Sequence, residues 1–262
     1  MSKRVESETE NLWAYGKRLR FVRQAIEDVF PGWDARALRV LDVGCGNGTQ
    51  LALALARLGF NVTGIDLDAR SVEHARALAL GLPRARFLCR DVEELEGLSF
   101  EVVILSEVLE HVAEPRALLG SSVGRLSAGG LLIVTVPNGY GEFELDSQLF
   151  RVLRLQRLVD VLARHRQGDA VAGTDNHASG HVQFFTRGRL QRLFAECSLR
   201  VLRAGAGSLL AGPLVGHTLA RSSRFIRWNA RASDRLPLVL ASGWYFALGR
   251  RSGREAEGQG GV

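Results

Sequence analysis

Apolar positions along the chain first recur at helical spacing and then gather into short continuous runs. Leu12, Leu19, Val22, Ile26 and Val29 mark one face of a helix between Glu10 and Phe30, and Pro31-Gly32 breaks it. Beyond this point apolar, β-branched runs alternate with helical segments, the pattern of βαβ units whose parallel sheet is covered on both faces. The first such run closes at Val40-Leu41-Asp42-Val43. A helix is expected over 51–58, a turn at Gly59, and a second strand over Asn61-Val-Thr-Gly-Ile-Asp66. Third and fourth strands are read at 85–89 and 100–105, a helix at 116–126, and a fifth strand at 131–136 after Gly129-Gly130. Thr186 caps a helix over 187–196, followed by a sixth strand at 199–203 and a seventh, antiparallel one at 243–249. The predicted fold is α/β: a Rossmann-like, doubly wound, seven-stranded sheet with its last strand antiparallel.

Two stretches interrupt this pattern. About 45 residues separate Asn138 from Val182, too many for a simple βα connection and therefore an insertion over the site edge. Within it Arg151, Arg154 and Arg157 stand among leucines and valines at helical spacing. Residues 205–240 split the final hairpin, and there Arg221, Arg224, Arg227, Arg231 and Arg235 recur every three or four positions with Trp228 among them. The expected organisation is one domain over 1–262. A covering helix lies in 1–35, the core in 36–138, lid insertions in 139–181 and 205–240, and a tail in 250–262.

Composition narrows the partners. A chain of 262 residues is long enough for a full core. No apolar run reaches the roughly 18 residues of a membrane span, and residues 1–10 are polar and mixed in charge, so a cytoplasmic protein is expected. Cys45, Cys89 and Cys197 are odd in number and lack metal spacing, which reads as reduced, buried thiols. The formal charge of +6 comes from arginine. Because the arginines concentrate in the two insertions and not in a basic block with interleaved aromatics, nucleic acid is disfavoured. An anionic membrane surface or an acidic small molecule suits them better. Oligomeric state is not legible.

Chemistry concentrates at the strand ends. Val40-Leu-Asp-Val-Gly-Cys-Gly-Asn-Gly-Thr49 ends a strand in three alternate glycines, 44, 46 and 48, just where the next helix offers unpaired N–H groups. The spacing is not the G-x-G-x-x-G of nicotinamide and flavin sites. Asp66, 22 positions after Gly44, stands where a second strand delivers a carboxylate to ribose hydroxyls. Asp91 ends the third strand, and Ser106-Glu-Val-Leu-Glu-His-Val112 follows the fourth.

These residues, with Leu126-Ser-Ala-Gly-Gly-Leu-Leu-Ile-Val-Thr-Val-Pro-Asn138, resemble a class I S-adenosylmethionine-dependent methyltransferase. The branch is that of ubiquinone-biosynthesis O-methyltransferases and methyltransferases of sugar and natural-product pathways. The resemblance is close over about residues 40–138 and implies S-adenosyl-L-methionine as cofactor. It assigns Asp42, Gly44, Gly46, Gly48, Asp66, Leu67, Asp91, Val92 and Ser106 to the cofactor site, and aligns Arg20 with an arginine reaching the cofactor carboxylate, with Arg18 and Arg23 as competitors. The implied reaction is O-methylation of a small-molecule, sugar or lipid-linked acceptor. N- or C-methylation and a non-catalytic cofactor-binding module are alternatives; an NAD-dependent oxidoreductase is disfavoured. His111 and His181 are the candidate bases, with His177 behind them. Some relatives use a carboxylate-bound magnesium, but no metal site is assigned.

Overall fold

The computed structural model describes residues 10–11, 14–139, 182–210 and 222–251. Helix α1 (Tyr15–Val29) leads into β1 (Arg39–Val43), α2 (Ala52–Arg57), β2 (Asn61–Asp66), α3 (Ala69–Leu78), β3 (Ala85–Cys89) and β4 (Phe100–Ser106). A one-turn 3₁₀ helix (Leu109–His111) then precedes α4 (Pro115–Gly124) and β5 (Leu126–Pro137). After residue 181 come α5 (Arg187–Glu196), β6 (Leu199–Ala206), α6 (Ser223–Ala232) and β7 (Gly243–Arg250).

The seven strands lie in the order β3-β2-β1-β4-β5-β7-β6, with β7 antiparallel to both its neighbours. Alternation along the strands explains why both faces are covered. Val40, Val102, Ile104, Leu131 and Ile133 point to one core, packed with Val22 and Ile26 of α1, Leu53 and Leu55 of α2, and Phe60. Leu41, Val43, Val103, Leu105, Leu132 and Val134 point to the other, with Leu119 of α4 and Leu190 and Phe194 of α5. Strands buried on both faces must read as continuous apolar runs, which is the pattern the sequence carries.

Differences from the sequence reading are local. Helix α3 was not anticipated; the Asp68 carboxylate caps it, accepting from the amides of Arg70 and Ser71 at 3.2 and 3.1 Å. β5 begins at Leu126, five residues early, because Leu126 pairs with Phe100 before an irregularity in register brings Leu131 beside Val102. The cysteines are free, but only Cys45 is buried: Cys89 is exposed on edge strand β3 and Cys197 half-buried. Among the described residues no helix is long and apolar enough to cross a membrane. The stretch with Arg151, Arg154, Arg157, His177 and His181, and Arg221 of the second insertion, lie outside them.

Candidate active site

Strand order reverses between β1 and β4, and a crevice outside the carboxyl ends of strands forms at such a reversal. β1 enters it through the glycine loop. Gly44, Gly46 and Gly48 all have positive φ, at 68, 53 and 76°. A Cβ on Gly44 would stand 2.7 Å from Val108 Cγ2, and one on Gly48 2.9 Å from the Phe87 ring, so bare backbone is required for the loop to sit this close to β3 and to the turn after β4. The Gly46 amide donates to Asp66 Oδ2 at 2.7 Å, and the Asp68 amide to Oδ1 at 2.9 Å. A carboxylate has about four acceptor sites, so Asp66 fixes the loop to β2 and keeps capacity for hydroxyl donors.

Beneath the loop Asp42 is almost fully buried. Burial pushes its carboxyl up to about 7; the Ala52 amide that it accepts from opposes this, and the nearby Asp66 charge adds to it. Leu67 lies exposed after β2, Asp91 half-buried after β3 and Val92 buried beside it. The Asp91 carboxylate accepts from the Glu93 amide at 3.1 Å.

Arg18, not Arg20, is the arginine at the strand ends. At about 100° per residue two positions on a helix face nearly opposite ways. Arg20 points outward and pairs with Glu10 at 2.9 Å. Arg18 is buried, its Nη1 donating to Ser106 Oγ at 3.1 Å and Gln50 Oε1 at 3.4 Å, its Nη2 3.5 Å from Glu107 Oε1, and its guanidinium over the Tyr245 ring at 5.7 Å. Buried Thr135 completes the network, 3.0 Å from Ser106 Oγ and donating to Glu107 Oε1 at 2.7 Å. Glu107 holds this position with a left-handed φ of 57°, a cost of order 1–3 kcal/mol that functional sites tolerate. Thr135, Gln50 and Tyr245 escaped the sequence reading. The one available signal was Thr135, a lone hydroxyl in the apolar run from Leu131 to Val136.

His111 ends the 3₁₀ turn with its ring partly open to solvent, Nε2 lying 3.9 Å from Glu110 Oε1. Glu110 is buried, which raises its carboxyl well above the usual range, and the Glu107 charge adds to the rise. The Glu110 carbonyl accepts from the amides of Val182 and Gln183 at 2.9 and 3.3 Å, docking the residues that lead into α5. Among the described residues no cluster of three metal-binding side chains occurs.

The residues fit an S-adenosylmethionine-type ligand by the chemistry of their donors. The glycine cradle offers backbone a Cβ would obstruct, Asp66 offers an acceptor, and buried Arg18 carries an Nε with no hydrogen-bond partner among the described residues, suited to a carboxylate.

The sheet and the loop define a Rossmann-like nucleotide-cofactor fold, and the comparisons specify the family. Residues 13–204 match the family described as Methyltransferase domain. A ubiquinone biosynthesis O-methyltransferase of Idiomarina loihiensis is 30% identical over 207 residues, 78% of this chain and 75% of the relative. Another of that name, from Parvibaculum lavamentivorans, is 35% identical over 133 residues, with 46% of this chain and 51% of the relative covered, so that match spans about half the relative. A solved S-adenosylmethionine-dependent methyltransferase from Clostridium acetobutylicum shares the fold at TM-score 0.56 with 12% identity, covering 91% of this chain and 92% of its own. The chain belongs to the S-adenosylmethionine-dependent methyltransferase family, and its cofactor is S-adenosyl-L-methionine.

Proposed function

We propose that the chain O-methylates a small-molecule acceptor. The observation that carries this reading is the pairing of the glycine cradle and Asp66 with a histidine, His111, placed directly after the β4 end. The printed names of the relatives support oxygen as the acceptor atom. In this reading Gly44, Gly46, Gly48, Asp66, Leu67, Asp91 and Val92 hold the nucleoside part of the cofactor, Asp42 supports the loop from below, and Arg18, steadied by Ser106, takes the carboxylate.

When bound, the cofactor supplies an activated methyl group, so the protein needs chiefly to orient the acceptor and to remove its hydroxyl proton. His111 is suited to the proton, since imidazole exchanges it near neutral pH. Glu110, held uncharged more readily than an ordinary carboxyl, limits negative charge beside the ring. Arg18, Glu107 and Thr135 close the polar floor and keep the geometry fixed.

The finer reading is a lipid-linked acceptor reached by peripheral contact with an anionic membrane. Support comes from Trp228, Leu236, Val239 and Leu240, all exposed on or just after α6.

Methyl-labelled S-adenosylmethionine and a panel of phenolic, sugar and alkyl-tailed hydroxyl acceptors test the proposal. Label recovered in an ether linkage, and lost with Asp66→Ala, is expected; label on nitrogen or carbon would replace it with another methyl transfer. Higher kcat/KM for alkyl-tailed acceptors would support the lipid-linked form.

A further inference from the structure

On α6 and just after it the arginines gather into one place. Arg224, Arg227, Arg231 and Arg235, with Trp228, Ala232 and Leu236, line a cavity of about 520 Å³. All four arginines are exposed, and among the described residues no carboxylate pairs with any of them. The one acid within this stretch, Asp234, is drawn away: Lys17 Nζ holds its Oδ1 at 2.6 Å. The same buried ammonium donates to the Gly207 and Ala230 carbonyls at 3.0 Å each and to Ser233 Oγ at 2.6 Å, anchoring the C-terminal end of α6 to α1. Ser222 caps the other end, accepting from the Phe225 amide at 3.2 Å. The helix is therefore capped at its start and anchored at its end, and no carboxylate among the described residues offsets its arginines.

Four planar guanidiniums around one cavity are matched by phosphate oxygens, which accept two parallel N–H bonds from each fork, and no lysine contributes. Trp228 and Leu236 in the same lining add an apolar wall. We propose that this cavity is a binding site for a phosphate-bearing ligand with an apolar portion, separate from the methyl-transfer site and independent of which acceptor that site uses. The phosphate can come from a phospholipid headgroup or from a soluble phosphate compound.

The test uses the full chain, with inorganic pyrophosphate titrated calorimetrically at low salt and flotation with phosphatidylglycerol or phosphatidylcholine vesicles. Two double variants remove equal charge: Arg227→Gln/Arg231→Gln inside the cavity, and Arg187→Gln/Arg192→Gln at exposed positions of α5. Expected is binding to at least one anionic probe that falls tenfold or more in the first variant and stays near wild type in the second. Pyrophosphate binding without flotation identifies a soluble source; flotation with phosphatidylglycerol alone identifies a headgroup. Equal losses in both variants would reduce the effect to net charge, and binding of neither probe, or unchanged binding in the first variant, would overturn the proposal. Cofactor affinity, measured alongside, is expected to stay constant in both.

Discussion

Arg18 and Ser106 are joined across the strand-order reversal, Nη1 donating to Oγ at 3.1 Å, so that the N-terminal helix is fastened to the end of β4. Arg18 is thereby the arginine of α1 that faces the strand ends. Arg18→Met should weaken S-adenosylmethionine binding by about 1.5–3 kcal/mol, the scale of a hydrogen bond to a charged group. Arg20→Met, which removes an exposed arginine whose partner is Glu10 and which touches none of the strand-end residues, should leave that binding within about 0.5 kcal/mol. Calorimetry on both decides it; the reverse pattern would return the role to Arg20.

Gly44 can be separated into its two constraints. Gly44→Ala forces a side chain into left-handed backbone, about 1–2 kcal/mol, and drives a methyl against Val108, about 1–3 kcal/mol more. Gly97, with a similar φ of 75° and open space around it, should show only the first cost on substitution by alanine. Urea unfolding of Gly44→Ala, Gly97→Ala and Gly44→Ala/Val108→Ala checks this. Failure of Val108→Ala to recover any of the Gly44→Ala loss would remove the clash from the account.

Asp42 gives a pH dependence whose sign follows from its raised carboxyl. Well below the ordinary carboxyl value of 3.8 the group is protonated folded and unfolded alike and costs nothing. As pH climbs toward about 7 the unfolded chain releases the proton while the folded chain retains it, so stability falls, by roughly 4 kcal/mol once both have ionised. Asp42→Asn should lack that decline, leaving it more stable than wild type above pH 7 in the ligand-free protein. Melting curves from pH 4 to 8 that run parallel for the two proteins would show that Asp42 ionises normally.

For the proton, His111→Ala should cut turnover about a hundredfold while S-adenosylmethionine affinity holds. His181→Ala, made in parallel, gives the competing assignment. Full activity in both variants would leave orientation alone as the source of rate.

What the sequence determined by itself were the local and periodic features. Continuous apolar runs at Val102–Leu105 and Leu131–Val134 identified strands covered on both faces, because a buried parallel strand has little polar side to show. The alternate glycines and the acid at Asp66 marked the cradle, because close backbone approach excludes other residue types. Tertiary structure decided the rest. Which of Arg18 and Arg20 faces inward depends on how α1 docks on β7, where Phe21 meets Tyr245 at 5.5 Å, and helical spacing does not set that rotation. Thr135, Gln50 and Tyr245 join the site from strands and loops far apart in the chain, so no local window could group them. The arginines of α6 and the turn after it showed their spacing in the sequence, but that Asp234 turns to Lys17 follows only from packing across some 200 residues of chain, a contact whose closure no short-range pattern records.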